Sequence, residues 1–338
     1  MEQIKIATAQ FQPKDGDKAY NLFIIERLVK KAKEQDADIV CFHELSITAY
    51  TFLKDLSYEE MVDLAEVVEV NDENNKRLNE KGEVNKDRYF RRSPSIHKLM
   101  DIATRYDIAI MAGLVEIDDN KLYNTYVVVD KTGIIAKHRK LHPFISKYLS
   151  PGNEYNVFDL LGWKCGILIC YDNNIVENVR ATTLLGADII FAPHVTGLTP
   201  SAMPGRGYVD EKLWENRYID PVPLRMELDG PKGRAWLMRW LPARAYDNGV
   251  YYVFSNPIGY DGDQLKNGNA MILDPYGEIL DEVKSFDDGL AIAIVVPEKL
   301  KLAGGYRYRN ARRPELYRDI LGKDHSSETK PVWMTPQK

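Results

Sequence analysis

Three chemically reactive side chains, those of Glu44, Lys140 and Cys170, each follow a short run rich in apolar residues. The run 166–169 is apolar at every position, which indicates a strand covered on both faces, and the polar residues after it mark where the chain leaves the core. In a layered α/β fold such strand ends gather along one rim, where sites are usually built. A carboxylate, an ammonium group and a thiol brought together there are suited to acyl transfer.

Each of the three residue types fits one role in that chemistry. Glu44 would accept the thiol proton as general base, Cys170 would attack a carbonyl or nitrile carbon, and Lys140 would stabilise the oxyanion with a backbone N–H that follows the cysteine. Amide hydrolysis would then proceed through a thioester, which a water activated by Glu44 would hydrolyse. We also expect the helix after Cys170 to favour the thiolate, because a helix N-terminus is the positive end of its dipole.

The other sulfur and imidazole groups have simpler interpretations. A free cysteine is more often a small buried hydrophobe than a nucleophile, and this alternative applies to Cys170 when it is considered alone. We assign Cys41 and Cys165 to the core, with Cys165 on the same strand as Cys170 and facing the opposite side or lying deeper. His142 is expected to make structural hydrogen bonds rather than to act in acid–base chemistry.

The elements that must position these residues alternate between strands and helices, which predicts parallel strands with helices packed on them. Periodicity and turn residues predict strands at 4–11, 37–42, 108–117, 121–130, 134–138, 187–193, 250–255 and 290–296, a hairpin at 268–273 and 278–283, and helices at 20–33, 94–106, 174–185 and 241–248. Two β-rich halves flank Cys170, which suggests two sheets with helices outside.

Three stretches do not fit this regular pattern. Residues 71–92 are polar and are expected to form a surface excursion, and the polar tail 323–338 is expected to be mobile. Residues 197–239 are rich in Pro, Gly, Arg and Trp without clean periodicity, which is typical of a lid or binding loop. An arginine there could bind a substrate carboxylate, although alternating acids make ion pairing on a solvated face or at a subunit contact the simpler interpretation.

Composition restricts the class of protein. The 338 residues are 44% hydrophobic and 28% charged, with no apolar run near the ~18 residues of a membrane span. The start shows no secretion-signal pattern, and three cysteines without zinc-like spacing fit a reducing compartment, so we expect a cytoplasmic protein. A net charge of −5 gives no attraction to nucleic acid or to an anionic membrane, and a small-molecule partner is expected.

Six stretches, in order along the chain, resemble motifs of the nitrilase superfamily of carbon–nitrogen hydrolases. The stretches that carry the three reactive residues are DIVCFHELSITAY at 38–50, KHRKLH at 137–142 and ICYDNNIVE at 169–177. The supporting stretches are LSPGN at 149–153, GNAMILDPYG at 268–277 and RRPELY at 312–317.

The resemblance implies an α/β fold of the nitrilase type, a four-layer α-β-β-α sandwich, with a Glu44–Lys140–Cys170 triad. It also implies no metal or organic cofactor, and a homodimer or larger homo-oligomer. We expect one domain over 1–322 with a lid-like insertion at about 197–239. The candidate substrate-binding residues are Tyr50, Tyr171, Asn174, His194 and Arg206, with structural hydrogen bonding as the alternative for His194.

The chain departs from the family pattern at three places. Many members carry a second glutamate between the lysine and the Pro-Gly turn, but residues 141–150 contain no acid, and the aligned position is Ile145. His43 replaces a proline before Glu44, and Asn174-Ile175-Val176 replaces Arg-Phe-Pro. The expected activity is hydrolysis of a small linear amide or N-carbamoyl compound. The alternatives are a binding scaffold that has lost turnover, a nitrilase and an amide acyltransferase.

Overall fold

Two six-stranded sheets face each other in the computed structural model, which describes residues 1–69, 93–197 and 207–327. The first half contains β1 (Ile4–Gln10), α1 (Lys18–Lys33), β2 (Ile39–Cys41), α2 (Tyr58–Leu64), α3 (Pro94–Tyr106), β3 (Ala109–Asp118), β4 (Lys121–Asp130) and β5 (Gly133–Arg139). The second half contains β6 (Val157–Leu160), β7 (Trp163–Ile167), α4 (Val176–Leu184), β8 (Ile189–Pro193), α5 (Glu211–Glu215), α6 (Pro221–Asp229), α7 (Arg234–Leu237), α8 (Leu241–Asn248), β9 (Tyr251–Ser255), β10 (Ile258–Asp261), β11 (Gln264–Asn267), β12 (Met271–Leu273), β13 (Ile279–Glu282), β14 (Gly289–Val295), α9 (Glu298–Leu302), α10 (Gly304–Asn310) and α11 (Arg318–Leu321).

The two sheets have matching topologies. The strand order is β14-β1-β2-β3-β4-β5 in the first sheet and β13-β12-β9-β8-β7-β6 in the second. The central strands β1, β2 and β3 run parallel, as do β7, β8 and β9, and the outer strands pair antiparallel. Parallel central strands require crossover helices, and these helices cover the outer faces of both sheets.

Three apolar layers hold this arrangement together. One fills the space between the sheets and includes Met111, Val128, Phe191 and Val253. A second packs α1 and α3 on the first sheet, and a third packs α4 and α8 on the second sheet. The predicted α/β fold with four layers, helix-sheet-sheet-helix, is therefore confirmed.

The regular elements agree well with the sequence pattern, but the short ones do not. Helices α3 and α8 match their predicted bounds, while α1 begins two residues early because the Asp17 side chain accepts a hydrogen bond from the Tyr20 N–H at 2.9 Å. The hairpin β10–β11 and the helices α9 and α10 were not predicted. The predicted surface excursion 71–92 and most of the predicted tail, 328–338, lie outside the described residues.

The described part of the predicted insertion, 207–239, contains the short helices α5, α6 and α7. Its apolar side chains pack on the hairpin β10–β11: Trp214, Leu224 and Leu228 form one cluster with Ile258 and Leu265. The single-domain boundaries and the function of this segment as a lid stay predictions. No helix within the described ranges is long and apolar enough to cross a membrane.

Gly113 on β3 lets the loop after β2 approach the first sheet closely. A Cβ atom at this position would lie 2.4 Å from the Leu45 nitrogen, well inside contact distance. The loop is bound there, because the Ile47 N–H donates to the Gly113 carbonyl at 2.9 Å. The absence of a side chain at residue 113 therefore sets the position of Glu44, which immediately precedes Leu45.

We predict that Gly113→Ala lowers the free energy of unfolding by about 1–3 kcal/mol, because the added methyl group must push the Glu44–Leu45 backbone away from β3. Urea denaturation of the variant and the wild type measures this difference. Equal stability of the two proteins would contradict the close approach.

Candidate active site

The Glu44 loop makes a sharp left-handed turn directly after the glutamate. Leu45 has φ 49° and Ala49 has φ 66°, and a non-glycine residue adopts such values at an energetic cost. The end of the loop is fixed by the buried carboxylate of Asp261, which accepts the Tyr50 and Thr51 N–H groups, each at 3.0 Å. The Asp261 carboxylate and the Ile47–Gly113 hydrogen bond together hold Glu44 at the edge of the space between the sheets.

Glu44 and Lys140 form an ion pair that is fully shielded from solvent. Lys140 follows β5 directly, and its Nζ lies 2.6 Å from Glu44 Oε1, with neither side chain exposed. The side-chain amide of Asn124 on β4 donates to the same oxygen at 2.6 Å. Within the described residues Glu44 Oε2 makes no hydrogen bond of ordinary length, so this oxygen remains available to accept a proton.

Cys170 lies on a strained turn beyond the end of β7. The strand ends at Ile167, and Cys170 begins a 3₁₀ helix, Cys170–Asn173, with φ 50°. Strict alternation would place residue 170 on the other face from residues 165, 167 and 169, yet its side chain joins theirs between the sheets. The left-handed turn therefore brings the sulfur into the inter-sheet space. Cys165 was predicted on the same strand as Cys170, but β7 ends before Cys170, and both side chains lie in the same cluster between the sheets.

The pKa of Cys170 contradicts the expectation of a thiolate. Burial raises it, the Glu44 carboxylate raises it further, and Lys140 and a hydrogen bond from the Val195 backbone amide lower it, with a net value of about 12. The helix that should have favoured the thiolate, α4, begins only at Val176, six residues after the cysteine. The resting group is a neutral thiol, which needs a base in order to attack.

Lys140 is held in its charged form. Burial, the largest single effect, lowers its pKa, but Glu44, Tyr50, Cys170 and Asp172 together raise it more, so that the pKa lies well above its ordinary value. Its Nζ also lies 5.3 Å from the centroid of the Tyr50 ring and 5.0 Å from that of Phe144. The three residues predicted from the strand ends thus meet at one end of the sandwich, two from the first sheet and one from the second.

The candidate substrate-binding residues are placed differently from one another. The ring of Tyr50 lies beside Lys140, and the half-buried ring of Tyr171 packs edge-on against Phe144, with centroids 5.8 Å apart. The backbone carbonyl of Asn174 accepts a hydrogen bond from Arg244 at 3.0 Å. Arg206 lies outside the described residues.

His194 makes the structural contacts that were its alternative interpretation. It is buried after β8, stacks on Trp240 with a centroid distance of 5.4 Å, and its Nε2 lies 3.1 Å from the Asn173 amide nitrogen. Asn173 in turn donates to the Leu168 and Cys170 carbonyls. Through Asn173, His194 supports the shape of the turn that carries Cys170.

The segment 141–150 contains no acid that could take the place of the family's second glutamate near the ion pair. The aligned residue, Ile145, is 7% exposed and packs in an apolar cluster with Leu45, Tyr50 and Leu149. The arginines of the insertion are partly paired, as the simpler interpretation predicts: Arg225 binds Asp229 at 3.4 Å, and Arg234 binds Glu282 at 2.7 Å.

Sequence reasoning missed four residues that contact the reactive groups or their turns: Asn124, Asp172, Asn173 and Val195. A polar residue in the middle of an apolar strand, as Asn124 is in β4, signals a buried hydrogen-bonding role. Asp172 and Asn173 follow the predicted nucleophile directly, which could have marked them as supports of the turn. Val195 contributes through its backbone amide, and no side-chain pattern reveals that.

A family model described as carbon–nitrogen hydrolase matches residues 5–303. A nitrilase of Pyrococcus abyssi is 27% identical over 293 residues, which cover 86% of this chain and 88% of the relative. An N-carbamoylputrescine amidase of Solanum tuberosum is 24% identical over 350 residues, covering 97% of this chain and 98% of the relative.

A solved structure with a similar fold is that of an amidase from Nesterenkonia sp. AN1. It is a glutamate-to-glutamine mutant with the acetamide moiety of fluoroacetamide added covalently at the active-site cysteine. It matches with a TM-score of 0.66 at 21% identity, covering 95% of this chain and 97% of that chain. At this identity the likeness concerns the fold.

His138, two residues before Lys140, is a fully buried imidazole that should make stability depend on pH. Neither ring nitrogen has a hydrogen-bond partner among residues 1–69, 93–197 and 207–327, and burial lowers its pKa to about 4. Histidine in an unfolded chain titrates near ~6.5. Between these values the unfolded chain binds a proton that the native protein does not, so the free energy of unfolding falls as pH drops through this window.

We therefore predict that His138→Leu reduces this loss. Relative to the wild type, the variant should gain about 2 kcal/mol of unfolding free energy when pH is lowered from about 8 to about 5. Urea denaturation at both pH values measures the difference. The variant retains His43, whose pKa burial also lowers to about 4, so part of the pH dependence persists in it. An identical pH dependence in both proteins would contradict a neutral buried His138.

Proposed function

We propose that this chain, which belongs to the carbon–nitrogen hydrolase family, cleaves the C–N bond of a small linear amide or N-carbamoyl compound through a thioester on Cys170. The observation that carries the proposal is the cluster of a neutral thiol, a carboxylate with one oxygen available and a charged lysine at a buried end of the sandwich. These are the groups that acyl transfer at a cysteine requires.

In the first half of the proposed reaction, Glu44 Oε2 accepts the thiol proton as the Cys170 sulfur attacks the carbonyl carbon. The high pKa of the thiol makes this base necessary, and Oε1 stays fixed by Lys140 and Asn124. The Lys140 ammonium group stabilises the developing oxyanion, together with the backbone N–H of Tyr171. Protonated Glu44 then gives its proton to the leaving nitrogen, which departs as amine or ammonia and leaves the thioester.

In the second half, Glu44 removes a proton from water, which attacks the thioester carbon. The C–S bond breaks, and Glu44 returns the proton to the sulfur, so that the product acid leaves and the resting thiol is restored. The same carboxylate oxygen acts as base and then as acid in each half, which suits a group held by two donors at its other oxygen.

The substrate contacts are proposed on the same geometry. The Tyr50 hydroxyl is buried and makes no hydrogen bond with any described residue, so we place it against a polar atom of the substrate. Tyr171 and Asn174 follow the nucleophile, while His194 supports the turn. The segment 197–239, including Arg206, is proposed as a lid over the site, within a single domain that spans 1–322.

The class of substrate is supported by the relatives. One carries the name nitrilase and another the name N-carbamoylputrescine amidase, and both names denote enzymes that act on a carbon–nitrogen bond. We favour an amide or N-carbamoyl substrate because its leaving nitrogen departs after one protonation by Glu44, whereas a nitrile must first add a further water before its nitrogen can leave. Hydrolysis of a nitrile, and transfer of the acyl group to an amine instead of water, are the alternative outcomes of the test.

We further propose a cytoplasmic homodimer or larger homo-oligomer. The location rests on the three cysteines, none of which forms a disulfide. The assembly is supported by exposed apolar side chains on outer helices of the second half, among them Val176 and Leu185 after the nucleophile and Ile320 near the end.

The first experiment is intact-mass spectrometry after mixing the protein with small amides, N-carbamoyl amino acids, N-carbamoyl amines and small nitriles, alongside measurement of ammonia release. We expect a substrate-sized adduct on Cys170, loss of turnover in Cys170→Ala and retained turnover in the matched core variant Cys165→Ala. Equal loss in both variants would remove the assignment of the nucleophile. An adduct passed to added hydroxylamine in preference to water would favour the acyltransferase, and no adduct or ammonia with any compound would favour the binding scaffold.

Glu44→Gln is predicted to separate attack from turnover. The glutamine cannot relay protons, so hydrolysis should fall by about 100-fold or more. Alkylation of Cys170 by a haloacetamide should be slowed less than hydrolysis, because it requires no proton transfer to a leaving nitrogen and because the change removes the carboxylate that raises the thiol pKa while Lys140 still lowers it.

The matched control is Glu60→Gln, a change in the exposed capping box of α2, which should leave both rates unaltered. Turnover retained by Glu44→Gln would refute the role of this carboxylate as general base.

A further inference from the structure

One buried carboxylate, that of Asp172, joins the two segments that carry Lys140 and Cys170. Its Oδ1 accepts the backbone N–H of His142 at 2.9 Å and lies 2.8 Å from the His142 ring Nδ1. Its Oδ2 accepts the N–H of Leu141 at 3.0 Å and that of Ile169 at 3.3 Å. The side chain is fully buried, so these contacts replace its hydration.

These four contacts come from both sheets. Leu141 and His142 follow β5 and Lys140 in the first sheet, whereas Ile169 precedes Cys170 beyond β7 of the second sheet. The carboxylate therefore bridges the residue after the lysine and the residue before the cysteine. Charge-assisted hydrogen bonds to backbone N–H groups are among the stronger ones, which makes such a bridge stiff.

The backbone of Asp172 also belongs to the turn. Its N–H donates to the Ile169 carbonyl at 3.1 Å, and its own carbonyl accepts the Asn178 side-chain amide at 3.0 Å. The carboxylate is moreover close enough to Lys140 to contribute to the raised pKa of that lysine. Asp172 thus places a second buried negative charge near Lys140, in a chain whose segment 141–150 has no acid.

We propose that Asp172 is a positioning residue that sets the placement of Lys140 relative to the Cys170 sulfur, with His142 as its hydrogen-bonding partner. The inference rests on the proposed function, since it matters only if these two groups act on the same carbonyl. Displacement of reacting groups by about 1 Å can cost about 100-fold in rate.

The test variant is Asp172→Asn, which keeps the size of the side chain. An asparagine presents an oxygen at one end and an NH₂ group at the other, so two of the N–H donors would face a donor. His142→Ala removes the ring contact and leaves the three backbone contacts, and it serves as a milder variant that is less demanding on folding.

The matched control is Asp274→Asn, far along the chain in the turn between β12 and β13. Asp274 is also buried, its Oδ1 accepts the Tyr276 and Glu278 N–H groups at 2.9 and 3.1 Å, and its Oδ2 binds Lys299 at 2.7 Å. Both aspartates therefore accept backbone N–H groups and contact a nitrogen-containing side chain, but only Asp172 adjoins the segments that carry Lys140 and Cys170.

The measurement is the second-order rate at which iodoacetamide alkylates Cys170, followed by peptide mapping, together with the melting temperature of each variant. We expect Asp172→Asn to slow alkylation by about 10- to 100-fold and His142→Ala to slow it severalfold. Asp274→Asn should lower the melting temperature while leaving the alkylation rate unaltered.

Three results would overturn the inference. These are an unaltered rate in Asp172→Asn, an equal loss in Asp274→Asn, and, if Asp172→Asn does not fold, an unaltered rate in His142→Ala. Failure of the proposed function is distinguishable, because the wild type would then release no ammonia from any compound of the panel, whatever the alkylation rates of the variants.

Discussion

A buried ion pair, Glu44 with Lys140, is the interaction on which the rest of the site depends. Removing two charges from water costs several kcal/mol per ion, and only close contact with further hydrogen bonds offsets it. Here the 2.6 Å contact and the Asn124 amide supply that compensation. Since the pair is sealed between two sheets, the same burial raises the pKa of the adjacent Cys170 thiol, and the Glu44 carboxylate raises it further.

The sandwich maintains this geometry against backbone strain. Leu45 and Cys170 both have left-handed backbone conformations that cost about 1–2 kcal/mol each. The first turn is held by Gly113 and Asp261 from distant parts of the chain, and the second is joined through the Asp172 carboxylate to the distant Leu141 and His142. Such backbone strain persists only where the surrounding contacts fix the conformation. Here the two strained turns direct the Glu44 carboxylate and the Cys170 sulfur toward the space between the sheets.

Prediction from sequence succeeded where a single element carried its own signal. Helix 94–106 has a proline at its start and an apolar stripe, and helix 241–248 ends at a glycine, so both could be delimited. The hairpin β10–β11 and the helices α5 and α6 are short, and their packing on one another, rather than periodicity, stabilises them. The expected thiolate was wrong because desolvation outweighs a helix dipole six residues away.

The sequence by itself determined that Glu44, Lys140 and Cys170 each follow a buried strand, and it predicted that two sheets with outer helices hold them. These features are local, since strand ends, helix caps and motifs are recognised from residues that are adjacent in the sequence. The tertiary structure alone decided that Glu44 Oε1 pairs with Lys140 and Asn124 and that the thiol is neutral. It also decided that Asp172 bridges the two sheets. Such contacts join residues as far apart as 96 positions, and desolvation depends on every layer that surrounds them, so no local pattern encodes them.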